Sequence, residues 1–169
     1  MLSGIADKEK HQTLLKTLNS QGNLCGLIYL IHTTKDGMEN FFRWAELDNI
    51  DVPKKYGQGM KLSKLTIYFD NLTAKTNRNK YNDITFDFMI VWPIQSVVED
   101  ANEIQMLKEM SERQKTKKII YLTLNEPWCN PVNLEPIVDR IIKLDCENDN
   151  PNEYHRILAV FEEDMKRRM

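Results

Sequence analysis

The sequence predicts an α/β fold: a three-layer sandwich with a mostly parallel sheet and a C-terminal β-hairpin. Two short, nearly unbroken apolar runs, Leu24 to Ile31 and Asp87 to Val91, have the pattern of strands buried on both faces. Segments with helical spacing lie between the apolar runs, and Gly, Pro and Asn clusters punctuate the joints. Strands that alternate with helices in this way build a parallel sheet covered by helices on both sides.

The elements follow in order. Ala6 to Asn19 is polar and helix-prone, with Leu14, Leu15 and Leu18 on one face, and Gln21-Gly22-Asn23 ends it. The Leu24 strand follows. Helical spacing returns over Asp36 to Leu47, where Met38, Phe41, Phe42 and Ala45 share a side. Pro53, Gly57 and Gly59 mark a loop before a second strand at Leu65 to Phe69. An Asn/Lys-rich loop, Asn71 to Asp83, leads to the third strand, Asp87 to Val91, which Trp92-Pro93 stops. Ser96 with Glu99 has the spacing of a capping box for a helix carrying Val97, Ala101, Ile104, Leu107 and Met110. Lys118 to Leu124 is the fourth strand, Leu134 to Val138 a short helix, and Arg140 to Asp145 with Arg156 to Glu162 the closing hairpin. In such a sheet the functional crevice lies at the carboxyl ends of the strands, here His32 to Thr34, Asp70-Asn71, Trp92-Pro93 and Asn125-Glu126.

The composition bounds the function. A length of 169 residues suits one domain, 1–169, and the hydrophobic share of 41% with 28% charged residues is ordinary globular usage. The formal charge of −2 gives no overall pull towards nucleic acid or acidic membranes. No apolar run reaches the ~18–20 residues that a membrane helix needs. Cys25, Cys129 and Cys146 form no CxxC pair, and His11, His32 and His155 have no ligand spacing, so no metal or cofactor is expected. Three reduced thiols fit a cytosolic protein.

Four stretches are similar to those of a known family: Gly22 to Thr34, Met38 to Val52, Phe86 to Pro93 with its helix and Lys118 to Glu126, and Ile137 to Leu144 with His155 to Phe161. Together they resemble a RecA-type ATPase core, most of all its KaiC-like branch, and the likeness spans almost the whole chain as a pattern of elements. It implies a phosphate-binding loop with register Met1 to Glu9, in which Lys8 takes the lysine position. Asp7 stands there for the glycine and Glu9 for the hydroxyl residue, and two carboxylates repel a triphosphate. The position of the Mg²⁺-holding Asp is Trp92, and Thr33, Thr34 and Lys35 replace the catalytic glutamates. The chain opens at that loop, so the family's first strand, central in its sheet, is expected to be missing. The resemblance therefore implies a pseudo-ATPase without enzymatic activity, a regulatory or scaffold protein that assembles with itself or with an active relative; Lys8 would be its vestigial nucleotide contact.

Other signals point elsewhere. Lys75, Arg78 and Lys80 beside Tyr81 combine cations with an aromatic ring, as a nucleic-acid-binding loop would, and this is the alternative function. Asn125-Glu-Pro-Trp128 partly matches the base-holding motif of amino-methyltransferases, although a Pro-stabilised turn accounts for it. Glu162, Glu163 and Asp164 form a solvated acidic face, and Trp44 lies off the main helical stripe, where it could anchor a partner.

Overall fold

The computed structural model describes residues 1–31, 36–71, 81, 83–98, 100–113, 115–124, 131–144 and 147–168. Its elements run β1 (Leu2–Ser3), α1 (Asp7–Ser20), β2 (Cys25–Leu30), α2 (Gly37–Trp44), β3 (Gly59–Leu62), β4 (Leu65–Asn71), β5 (Phe88–Trp92), α3 (Ala101–Arg113), β6 (Ile119–Tyr121), β7 (Ile142–Lys143) and α4 (Pro151–Arg168). Two 3₁₀ turns, Ile94–Ser96 and Pro131–Ile137, connect them.

The five-stranded sheet has the order β3-β4-β2-β5-β6. The β2–β4, β2–β5 and β5–β6 pairs are parallel, and only β3 runs antiparallel, against β4. β1 pairs parallel with β7 and bridges in parallel to Leu122 at the end of β6, so β1 and β7 extend the row of strands beyond β6. The sheet is central and apolar on both sides because its strands alternate between two cores. Ile28, Ile90 and Leu122 face α1 and α2 with Leu14, Leu18, Phe41 and Phe42. Their neighbours Leu27, Met89 and Tyr121 face α3 with Leu107 and Met110. Two glycines allow close approaches here. A Cβ on Gly26 would fall inside the Phe88 ring across the β2–β5 pair, and one on Gly4, whose φ is +118°, would meet the Leu144 carbonyl oxygen.

The expected α/β architecture and mostly parallel sheet are present, with four corrections. A strand does precede α1, where none was expected: Leu2–Ser3 forms β1, paired with β7 and bridged to Leu122 after β6. The C-terminal hairpin does not form: Arg156 to Glu162 lies inside the 18-residue helix α4, and β7 pairs with β1. Asn150 opens that helix, its Oδ1 accepting the Glu153 N–H (3.3 Å) and its backbone oxygen the Tyr154 N–H (3.0 Å), with Pro151 next to it. Gly59 belongs to a strand, β3, that forms a short hairpin with β4. Finally, the helix expected from Ser96 begins later, capped by Asp100, whose Oδ1 accepts the Asn102 N–H (2.8 Å); Glu99 lies outside the described residues.

Candidate functional site

The strand-to-helix turn β1-Gly4-Ile5-Ala6-α1 brings the first turn of α1 to the carboxyl end of the sheet, where the crevice was expected. Residues three and four apart share a helix face, so Asp7, Lys10 and His11 point together, and they point inward. Lys10 and His11 have no solvent exposure at all, and Asp7 is also buried.

These polar groups satisfy one another. The Lys10 ammonium stands 2.9 Å from Asp7 Oδ1 and donates to Thr123 Oγ1 at 2.8 Å. Thr123 follows β6, and its hydroxyl and backbone N–H both reach the Leu2 carbonyl, each at 3.2 Å. A buried chain of contacts thus runs from the head of α1 through the end of β6 to β1. It is costly unless complete, because a lone buried charge loses its hydration without compensation. The arrangement also fits the helix dipole: the partly positive amino end of a helix attracts an anion, and here the chain's own Asp7 carboxylate sits at that end.

His11 forms the second half of the site. Its Nδ1 donates to the Asp7 carbonyl oxygen at 2.7 Å, which leaves Nε2 as the unprotonated nitrogen, without a hydrogen-bond partner. The imidazole lies among Phe41, Trp44 and Trp92, with ring centroids 5.2, 6.3 and 5.6 Å away. Burial in this aromatic box is the main cause that lowers its pKa to about 4; the Lys10 charge adds to the effect, against the Asp7 carbonyl. The Trp92 indole N–H is likewise without a partner. At the end of β5 the buried Trp92 indole is thus packed edge-on against a neutral histidine.

The residues expected from sequence lie elsewhere. Lys8 points sideways, its ammonium 2.6 Å from Glu46 just beyond α2. That contact raises the Lys8 pKa and lowers that of Glu46, and both side chains are half exposed. Tyr81 is spent on the core. Its hydroxyl donates to the Phe69 carbonyl oxygen at 2.8 Å, and its ring packs edge-on against Tyr68 and Phe86. Burial, then the nearby Asp70 charge, pushes its pKa up. A ring held in this way offers no face to a base. Lys75, Arg78, Lys80 and Thr33 to Lys35 lie outside the described residues, as does Asn125 to Trp128. Trp44 is 38% exposed beside His11.

Sequence reasoning missed Lys10, His11 and Thr123. A signal was present in the helix period: the core stripe Leu18, Leu15, Leu14 continues backwards through His11 and Lys10 to Asp7. Among the described residues no group of three His, Cys, Asp or Glu side chains could hold a metal ion, and no helix is long and apolar enough to cross a membrane. No protein-family model matches the chain, and a search of curated proteins finds no match.

Proposed function

We propose that this chain is a non-catalytic RecA-like protein, a cytosolic regulatory or scaffold subunit whose phosphate site is closed by its own side chains and which acts through a protein partner, itself or an active relative. The observation that carries this reading is the buried Asp7–Lys10 pair at the head of α1. A phosphate-binding turn offers a helix amino end and a lysine to an anion. Here Lys10 supplies the cation and Asp7 the anion, so both are already engaged. Trp92 supports the same reading, because an indole cannot hold Mg²⁺ where phosphoryl transfer needs a carboxylate. The short strand β1 directly before α1, bridged to Leu122 after β6, supports the reading as well, since a phosphate-binding turn joins a strand to a helix.

Thermal unfolding with millimolar Mg²⁺-ATP tests this. A ligand that binds only the folded chain must raise its stability. The expected result is no rise in Tm and no phosphate release above the buffer blank. A saturable rise of more than about 2 °C, roughly 0.5 kcal/mol for a domain of this size, overturns the closed-site reading.

A further inference from the structure

Beside β1 the sheet contains a cavity of about 900 Å³. On one side it is lined by Ile119 to Tyr121 of β6 with Lys117 and Lys118 before them; on the other lie Ile137, the last residue of a 3₁₀ turn, and Val138 to Arg140, which lead into β7. Next to it Leu2 of β1 lies opposite both Leu122, which follows β6, and Ile142 of β7, so β1 covers the outer edge of the chain just beyond β6. Met1 and Leu2 also line the cavity.

The peptide groups of β6 face this cavity. The Lys118 carbonyl oxygen accepts from the Met89 N–H, and the Leu122 N–H donates to Val91, so Lys118 and Leu122 turn towards β5. Strand alternation turns Ile119 and Tyr121 the other way, and Thr123, next in that series, donates to Leu2 of β1. The α1 side of the lining is mixed, Leu14 and Leu18 beside Thr13, Thr17 and Gln21, and Ile137 and Val138 add apolar surface on the side of β7. Lys118 and Arg140, both exposed, stand at the rim with a single carboxylate, Asp139.

We infer that this gap is a docking slot for an extended, apolar, carboxylate-bearing segment of a partner protein, added as a β-strand beside β6. A strand is the occupant that meets the outward peptide groups of Ile119 and Tyr121 with its own and lays apolar side chains on Leu14 and Leu18. The rim cations select for acidic residues in it. The inference rests on the protein-partner half of the function proposed above and names where that partner enters.

The test uses the full chain and fluorescent heptapeptides of alternating Val and Thr with a Glu at each end, followed by anisotropy. One control replaces Glu by Lys, and another carries N-methyl groups on alternate backbone nitrogens. The Glu peptide is expected to bind saturably and about tenfold more tightly than either control. Lys118→Glu/Arg140→Glu should invert the preference between Glu and Lys peptides. Thr17→Trp, at an exposed position of α1 on the cavity wall, should abolish binding while the circular dichroism spectrum is retained. No binding by any peptide, or equal binding by the N-methylated one, overturns the inference. A dimer of the unliganded chain that Thr17→Trp dissociates also overturns it, by assigning the slot to a second copy. Nucleotide binding is scored separately, so loss of the closed-site reading and loss of the slot are distinguishable.

Discussion

Lys10 shows how a single side chain decides what a crevice can do. Its four-carbon stem lies in the core and its ammonium is held between Asp7 and Thr123. Removing one partner of a buried ion pair leaves the other charged and without compensation, at a cost of about 3–5 kcal/mol, whereas replacing both with apolar groups is often neutral. Lys10→Met should therefore destabilise the chain by about 3–5 kcal/mol, read as a lower urea midpoint at unchanged slope. Adding Asp7→Leu should restore much of the loss. A double variant no more stable than Lys10→Met alone would show that the two charges are not coupled. Lys8, two residues earlier, makes a pair of similar length with Glu46, yet both groups are solvated, and exposed pairs contribute little. Burial is what separates the two lysines, and no spacing rule distinguishes them.

At the scale of elements, α4 is the least embedded of the helices. None of its described side chains is buried, and its order comes from local terms: the Asn150 cap, Pro151 in the first turn, and the Arg156–Glu153 contact at 2.6 Å. Asn150→Ala should cost the helix about 1 kcal/mol. Because none of its described side chains is buried, the loss should be seen as faster amide exchange over 151–168, with the exchange of β2, β4 and β5 unchanged. Equal acceleration in the strands would mean that α4 is part of the cooperative core. The same helix explains why part of the fold was not legible in the sequence. Ile157 to Phe161 is a short apolar run, which periodicity alone cannot assign to strand or helix, and the decisive signal was the Asn-Pro-x-Glu cap placed before it. β2, β4, β5, α1 and α2 were legible because each carries its own period and its own stop. β1 was not, for it is two residues long and exists through the bonds of its neighbours: Ile142 and Leu144 donate to Met1 and Ser3, and Thr123 to Leu2. The candidate site was hidden for a related reason, as Lys8 matched a motif while Lys10 and His11 looked like ordinary polar helix residues.

For the molecule as a whole, these buried groups predict how stability depends on acidity. The two cores lie on opposite faces of one sheet, so unfolding should expose His11 together with everything else. An unfolded histidine titrates near pH 6.5, whereas His11 in the fold has a pKa of about 4. Between those values the unfolded chain binds a proton that the folded chain refuses, so stability rises with pH through this window and falls as the solution is acidified. The full loss is on the order of 3 kcal/mol by pH 4. Carboxylates held low in the fold, Asp87 by the Cys25 N–H and Lys117, and Glu46 by Lys8, also lose stability in acid. They do so only as the pH falls through the ordinary carboxylate range, so pH 5 to 6.5 isolates the histidine. The groups nearest His11 are Asp7 and Lys10, which already neutralise each other. Urea midpoints measured from pH 5 to 8 should decline below 6.5; above pH 7 the Met1 amino group, whose pKa burial lowers, adds its own rise with pH. His11→Leu should be flat across pH 5 to 7, whatever its absolute stability, because no proton is then taken up at that position on unfolding. A decline of the same slope in His11→Leu would assign the acid sensitivity to another group and would leave the buried, neutral imidazole without an energetic role.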